Sequence, residues 1–544
     1  MNKRGSPFNW PLVLACVTTF LMTGILESGV LRMTGGVFMY PLDDPFIHMQ
    51  IARNLAFHGT WGINPGEFAS ASSSLLYTLL LSGLFKVFTA GVAIPFIINC
   101  ITAVALLIVL DRWLQRQGAG PRGRSWILLL VVFIVPLPVL IISGMEHTLQ
   151  CLFTFLFITA LGEWLEKGAV SRRGLFWLLL YAILITAIRY EGLFLVAIAC
   201  LILAFHSRWK AAFLLGAAGL LPVIIFGLYS LGKGSYFLPN SVLVKSESIP
   251  FSVGGMITFL NNILVNKWTV VKAQVKVPGV PPPGISLLAA QRLLLLLPLG
   301  ALLFRKQLRE QVALRVFFLL MTGGVLLHLA LAATGWLYRY EAYLVMNVTM
   351  VIALLAYRWG RTVVADTNAL ERGYAWLLAF AVFFPFVLRG AAAYSNIRQA
   401  CVNIYQQQYQ MAQFLKKYYD HDVVAANDIG AISYYSDIHM VDLWGLGDID
   451  VARSRKKGYW TAAFLDSLAR KRGVKLAIVY DDWFDPALTS GWKKVATWKV
   501  DNNVILGGDT VSFYAVGENS SEPLSENLHA FQHLLPVGVT VNYQ

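Results

Sequence analysis

Long apolar runs constrain this chain more than any other feature. Stretches of about 18 residues or more recur along it, among them Trp126–Ser143 and Val316–Ala333. At about 1.5 Å per residue, each crosses ~30 Å of hydrocarbon or nearly so. Only 14% of the residues are charged, against about 25% in soluble domains. The pattern is that of a polytopic α-helical membrane protein and excludes an ordinary soluble enzyme.

The formal charge of +14 sits largely in short loops between apolar runs. Cationic loops mark the cytoplasmic side of a membrane protein, so the charge reads as topology and no nucleic-acid partner is expected. Four of the five cysteines (Cys16, Cys100, Cys151, Cys200 and Cys401) lie inside apolar runs without metal-ligand spacing. They read as small core hydrophobes, with neither a disulfide framework nor a zinc site.

A first span over Trp10–Leu31 starts behind Lys3 and Arg4 and leads into a polar segment, Gly35–Ser74. Leu75–Phe88 is apolar but short, and reads as a juxtamembrane helix on the outer face. The spans then alternate over Ile94–Leu110, Trp126–Ser143, Thr148–Leu165, Leu175–Ile188, Leu193–Phe205, Phe213–Leu231, Ile285–Phe304, Val316–Ala333, Leu344–Tyr357 and Tyr374–Leu388. That makes about eleven spans, every basic loop on one side and the C-terminus outside. The chain divides by composition into a transmembrane part, 1–390, with outer loops 35–92 and 232–284, and a soluble α/β domain, 391–544. In the latter, Val423–Ala426 and Leu476–Tyr480 read as strands, Tyr459–Lys471 as a helix, and Val495–Leu506 with Val511–Val516 as a hairpin. The polar tail from Glu518 reads as partly mobile.

Chemistry-bearing residues gather on the outer side. Asp43 and Asp44 lie just beyond the first span, followed by His48, Arg53, Asn54, His58 and Glu67. An aspartate there can act as general base for a hydroxyl or help hold a divalent cation. The same spacing also fits a solvated loop in which Asp44-Pro45 starts a helix. Glu146 follows Ser143-Gly144-Met145 at a helix mouth, where a carboxylate is ordinarily a cap or solvated. Arg189 and Glu191 share the turn of a short helical pair, and Arg339 and Glu341 sit in Trp336-Leu337-Tyr338-Arg339-Tyr340-Glu341. Ionisable groups at such depths face a cavity or one another. An arginine fork matches phosphate oxygens and equally a carboxylate. Lys245 fits either a lipid phosphate or a plain interfacial lysine. No phosphate-binding glycine loop, Gly-x-Ser-x-Gly elbow or zinc-protease motif is present.

Taken in order, Asp43-Asp44, Ile51-Ala52-Arg53-Asn54-Leu55-Ala56, Asn64-Pro65-Gly66-Glu67, Ser143-Gly144-Met145-Glu146, Arg189-Tyr190-Glu191-Gly192, Leu238-Pro239-Asn240, Asn427-Asp428-Ile429-Gly430 and Val441-Asp442-Leu443-Trp444 form a recognisable series. Over most of its length the chain resembles the GT-C superfamily of polyprenyl-phosphate-sugar glycosyltransferases. Within it, the resemblance is to the mycobacterial terminal β-arabinofuranosyltransferases and their bacterial relatives. Those relatives often carry Arg-Pro-Glu-Gly where this chain has Arg189-Tyr190-Glu191-Gly192.

The resemblance implies an inverting transfer of one sugar, arabinofuranose favoured, from a polyprenyl phosphate to a glycan, lipid or protein hydroxyl. The setting it implies is the bacterial inner (plasma) membrane, with the C-terminal domain periplasmic. Asp43 falls at the position of the base, with Asp44 and Glu146 as the further acids. Arg189, Lys245 and Arg339 are candidates for the donor phosphate, and His48, His58, Glu67, Glu191 and Tyr338 for the sugar side. No cofactor is required; Asp43, Asp44 and Glu146 offer oxygen ligands to a Mg or Mn ion. Two rival classes share these features: a flippase or transporter of a lipid-linked sugar, and an O-antigen ligase or polymerase. A transport path would need ionisable groups across the membrane, whereas here they collect on one face.

Overall fold

The computed structural model describes residues 8–241, 284–363, 369–517 and 520–544. Lys245, and most of the second outer loop, lie outside the described residues. Helices cover Trp10–Met33, Asp44–His58, Leu75–Phe88, Ile94–Arg116, Pro121–Ile134, Leu137–Ile142, His147–Glu166, Arg172–Ile188, Gly192–Phe205 and Trp209–Gly232. Beyond the second outer loop come Gly284–Leu303, Val312–Leu331, Ala342–Val363 and Ala369–Ile404. Among the described residues, five helices are long and apolar enough to cross a membrane: Trp10–Met33, Ile94–Arg116, His147–Glu166, Trp209–Gly232 and Val312–Leu331. Their exposed faces carry Val17, Leu21, Ile25, Ile97, Ile101, Phe213, Leu221 and Leu228. That much exposed apolar surface suits hydrocarbon better than water.

The chain forms two compact units, each discontinuous in sequence. One comprises Met1–Leu26, Phe96–Val223 and Glu247–Ser395; the other comprises Glu27–Pro95, Ile224–Ser246 and Asn396–Gln544.

The first unit is a helical bundle around one apolar core, with Val131, Phe155, Phe157, Leu195, Met321 and Leu344 among its buried members. Small residues let the helices approach. A Cβ added to Gly162 would lie 3.0 Å from both Cα and Cβ of Ala313, which is the packing expected where apolar side chains gain little by leaving lipid. The run Trp126–Ser143 is not one continuous helix. It breaks at Val135–Pro136 into helices Pro121–Ile134 and Leu137–Ile142, because proline lacks the N–H that would continue the ladder. Asp111 is fully buried and accepts from Arg124 at 2.6 Å, Asn9 at 2.6 Å and Gln115 at 2.7 Å.

The second unit is built on a six-stranded sheet. The strands are β1 (Val423–Ala426), β2 (His439–Asp442), β3 (Leu476–Val479), β4 (Lys493–Val500), β5 (Thr510–Ala515) and β6 (Val539–Tyr543). Their order is β2-β1-β3-β5-β4-β6, with β1 parallel to β2 and β3 and the remaining pairs antiparallel. Helix Ala462–Arg472 and the β4–β5 pair fall where apolar periodicity places them. The tail departs from expectation. Helix Ser521–Phe531 buries Leu524, Leu528 and Phe531, and β6 extends the sheet along β4. Their spacing of four and three residues makes one apolar stripe inside a polar sequence.

The first outer segment is not a free loop. Ile47, Ile51, Trp61 and Ile63 share a core with Val424, Ile429, Ile432 and Met440. Asn64 and Met440 exchange two 2.9 Å hydrogen bonds, and Arg53 donates at 3.0 Å to the Tyr434 carbonyl. Trp498 anchors the other side of this core against Phe414, Phe513 and Phe531. Trp498→Ala is expected to cost the second unit about 3–5 kcal/mol. The cost should appear as a lowered unfolding temperature of the full chain in detergent; an unchanged transition would contradict this packing.

Candidate active site

Asp43 stands immediately before helix Asp44–His58, with Pro45 in its first turn. Proline fits that position because no helical N–H is needed there. The Asp43 carboxylate is bound by backbone. Oδ2 accepts from Gly430 N and Oδ1 from Ala431 N, both at 2.7 Å. It is half-buried, keeping some open surface. Burial and the neighbouring Asp428 push its proton affinity well above the usual carboxylate range. The two amides oppose that rise, and Asp44 adds to it.

The other first-loop residues take different places. His48 is buried, its Nδ1 within 2.9 Å of Thr78 Oγ1 and 3.1 Å of Ser72 Oγ, so its ring is engaged inside the segment. Glu67 is exposed and accepts from Asn64 at 2.8 Å, with His439 Nε2 3.4 Å away. His58 ends its helix at the surface.

The first unit holds a separate polar cluster. Arg189 donates to Glu146 Oε1 at 2.7 Å and to Glu191 Oε1 at 2.7 Å. The turn carrying Arg189 and Glu191 needs Gly192, since a Cβ there would come within 2.6 Å of the Ile185 carbonyl. The guanidinium carbons of Arg189 and Arg339 lie 5.4 and 4.9 Å from the centre of the Tyr340 ring. His147 meets the same ring edge-on at 6.0 Å. Thus Glu146, Arg189, Glu191 and Arg339, distant in sequence, come together.

Arg389, which the sequence did not single out, is fully buried beside them. Its Nε donates to Glu341 at 2.8 Å, its Nη1 to the Ile134 carbonyl at 3.0 Å, and its Nη2 to the Tyr338 carbonyl. Tyr338 enters through its backbone, as the last of three consecutive left-handed residues, Trp336, Leu337 and Tyr338, with φ of 42°, 62° and 59°. A cation just past the end of the apolar run Tyr374–Leu388 was the available signal for Arg389.

Both Asp43 oxygens are engaged by amides. Among the described residues, no three His, Cys, Asp or Glu side chains gather as a metal-ligand set.

A family model described as a domain of unknown function (DUF8728) matches residues 396–514. No curated protein matches the chain. Among solved structures, the chain is similar to the crystal structure of ArnT from Cupriavidus metallidurans in the apo state. The identity is 12% and the TM-score 0.48, over 93% of this chain and 98% of that one. A likeness of this degree assigns neither a fold nor an activity.

Removing the cation between two carboxylates in an apolar bundle is costly. Arg189→Ala is expected to destabilise the first unit by about 3–5 kcal/mol, measured as loss of monodisperse protein on heating in detergent. The triple change Arg189→Met with Glu146→Gln and Glu191→Gln should recover much of that loss. If the single variant is as stable as wild type, the ion triad is not what holds this turn.

Proposed function

We propose that this multi-pass membrane protein is a glycosyltransferase of the GT-C kind. It moves one sugar, arabinofuranose first among those to test, from a polyprenyl phosphate to an acceptor hydroxyl at the outer membrane face. The proposal includes about eleven spans, the C-terminal domain on the outer side, and inversion at the anomeric carbon. One observation carries it: an acid that follows a membrane helix is fixed in place, keeps open surface, and has its proton affinity raised. That is what a general base for a hydroxyl requires.

In this reading Asp43 takes the proton as the acceptor oxygen attacks the anomeric carbon. The bond from that carbon to the phosphate oxygen breaks, and polyprenyl phosphate leaves with the electron pair. Arg339 and Arg189 are the proposed contacts for the donor phosphate, where a planar fork can neutralise the leaving charge.

The test is transfer from a panel of polyprenyl-phosphate monosaccharides in membranes, wild type beside Asp43→Asn. Turnover should fall by about 100- to 10,000-fold in the variant, the range for a lost general base, with donor binding retained. Because the base must be ionised, wild-type turnover should decline as pH falls through a midpoint above the usual carboxylate range. Movement of labelled lipid across the bilayer, without consumption of any donor, would replace this reading with a flippase.

A further inference from the structure

The turn that seats Asp43 belongs to the C-terminal sheet domain, 387 residues away in sequence. Gly430 is there for closeness and not for an unusual backbone angle. A Cβ on it would lie 2.3 Å from the Asp43 carbonyl oxygen and 2.7 Å from Oδ2, so no other residue admits this approach. Two residues earlier, Asp428 is held from two directions. Its Oδ2 accepts from Gln408 Nε2 at 2.7 Å and lies 2.8 Å from the Tyr480 hydroxyl, whose proton it shares with Gln407 Oε1 at 2.5 Å. Gln408 also donates to the Tyr480 hydroxyl at 2.9 Å. Tyr480 is almost fully buried, and its own N–H donates to Asn427 Oδ1 at 2.9 Å. Gln408 lies in a π-helical turn, Tyr405–Tyr409, a distortion that concentrates at functional sites.

This is an expensive arrangement for a mere fold contact. Asp43, Asp44 and Asp428 bring three acids to one place, and Tyr480 also faces Asp43 and Asp428. Each carboxylate disfavours ionisation of the next.

We propose that the turn 427–431 is part of the catalytic centre, with Asp428 a positioning residue that acts through Asp43. The inference rests on the sugar-transfer reading for what Asp43 does, and on the second unit alone for what controls it. Asp43 lies beside Asp428, so its proton affinity depends on the charge that Asp428 carries. The amides of Gly430 and Ala431 fix the plane of the Asp43 carboxyl. Asp428, steadied by Tyr480 and Gln408, keeps that carboxyl ready to accept a proton.

The test reads the proton directly. The full chain in detergent is treated across pH with a hydrophobic carbodiimide, which adds only to protonated carboxyls, and fragment ions separate Asp43 from Asp44. Modification of Asp43 is then quantified by peptide mass spectrometry. Asp428→Asn keeps the shape and the hydrogen-bond acceptor, and should lower the midpoint for Asp43 by about one unit or more. Tyr480→Phe removes a donor that favours charged Asp428, so Asp428 repels Asp43 less and the midpoint should fall, by less than in Asp428→Asn. An unmoved midpoint in Asp428→Asn, or a raised midpoint in Tyr480→Phe, overturns the inference. The acid limb of sugar transfer should follow the labelling midpoint in each protein. If labelling shifts as expected while no donor is consumed, control of Asp43 by Asp428 stands and the sugar-transfer reading falls. If donor is consumed while labelling does not move, the reverse holds.

Discussion

A charge withdrawn from water must find its partners inside the fold, and both units are organised around that requirement. In the helical unit, fully buried Arg389 joins three features that apolar packing alone would not hold together. It binds the carbonyl at the end of helix Pro121–Ile134, the carbonyl of Tyr338 in the left-handed turn, and the Glu341 carboxylate before helix Ala342–Val363. Glu341 returns to the same turn by accepting from Gly335 N at 2.8 Å. Each left-handed residue without glycine costs about 1–2 kcal/mol. The Arg389–Glu341 pair offsets that strain. Arg189 plays the equivalent part for the turn before helix Gly192–Phe205, between Glu146 and Glu191.

The sheet unit meets the requirement differently. Its first segment, Glu27–Pro95, shares a core with the C-terminal domain through Ile47, Ile51, Trp61 and Ile63. The backbone polarity that comes with them is satisfied across the same join. Asn64 pairs with Met440, and Arg53 reaches the carbonyls of Tyr434 and Ser433. The membrane-proximal acid is therefore positioned by a domain that composition alone sets apart as a separate soluble piece.

What was legible in the sequence follows from range. Helix positions such as His147–Glu166 and the β4–β5 hairpin come from local periodicity, which residues a few positions apart determine. The Arg189–Glu191 pairing was readable for the same reason, as the two share one turn. The break at Pro136 was readable in principle, but an uninterrupted apolar composition masks it. The seat of Asp43 was not readable, since neither Gly430 nor Ala431 carries a side chain that announces a carboxylate partner. Asp428 looks like a turn residue until Tyr480 and Gln408 are seen beside it. The tail helix escaped because its three buried residues are diluted by polar neighbours.

The choice of backbone amides to seat the acid has a consequence of its own. An arginine or lysine in that place would fix the carboxylate equally well, but its full charge would hold the group ionised and make it a poor base. Amides supply direction with far less charge. The opposing push comes from burial and from Asp428 and Asp44, which outweigh the two hydrogen bonds. Position and basicity of Asp43 are thus set by different groups, the first by Gly430 and Ala431 and the second by the neighbouring acids. In the proposed sugar transfer, a base that must meet a hydroxyl at one point, and still accept its proton, needs those two properties adjusted independently.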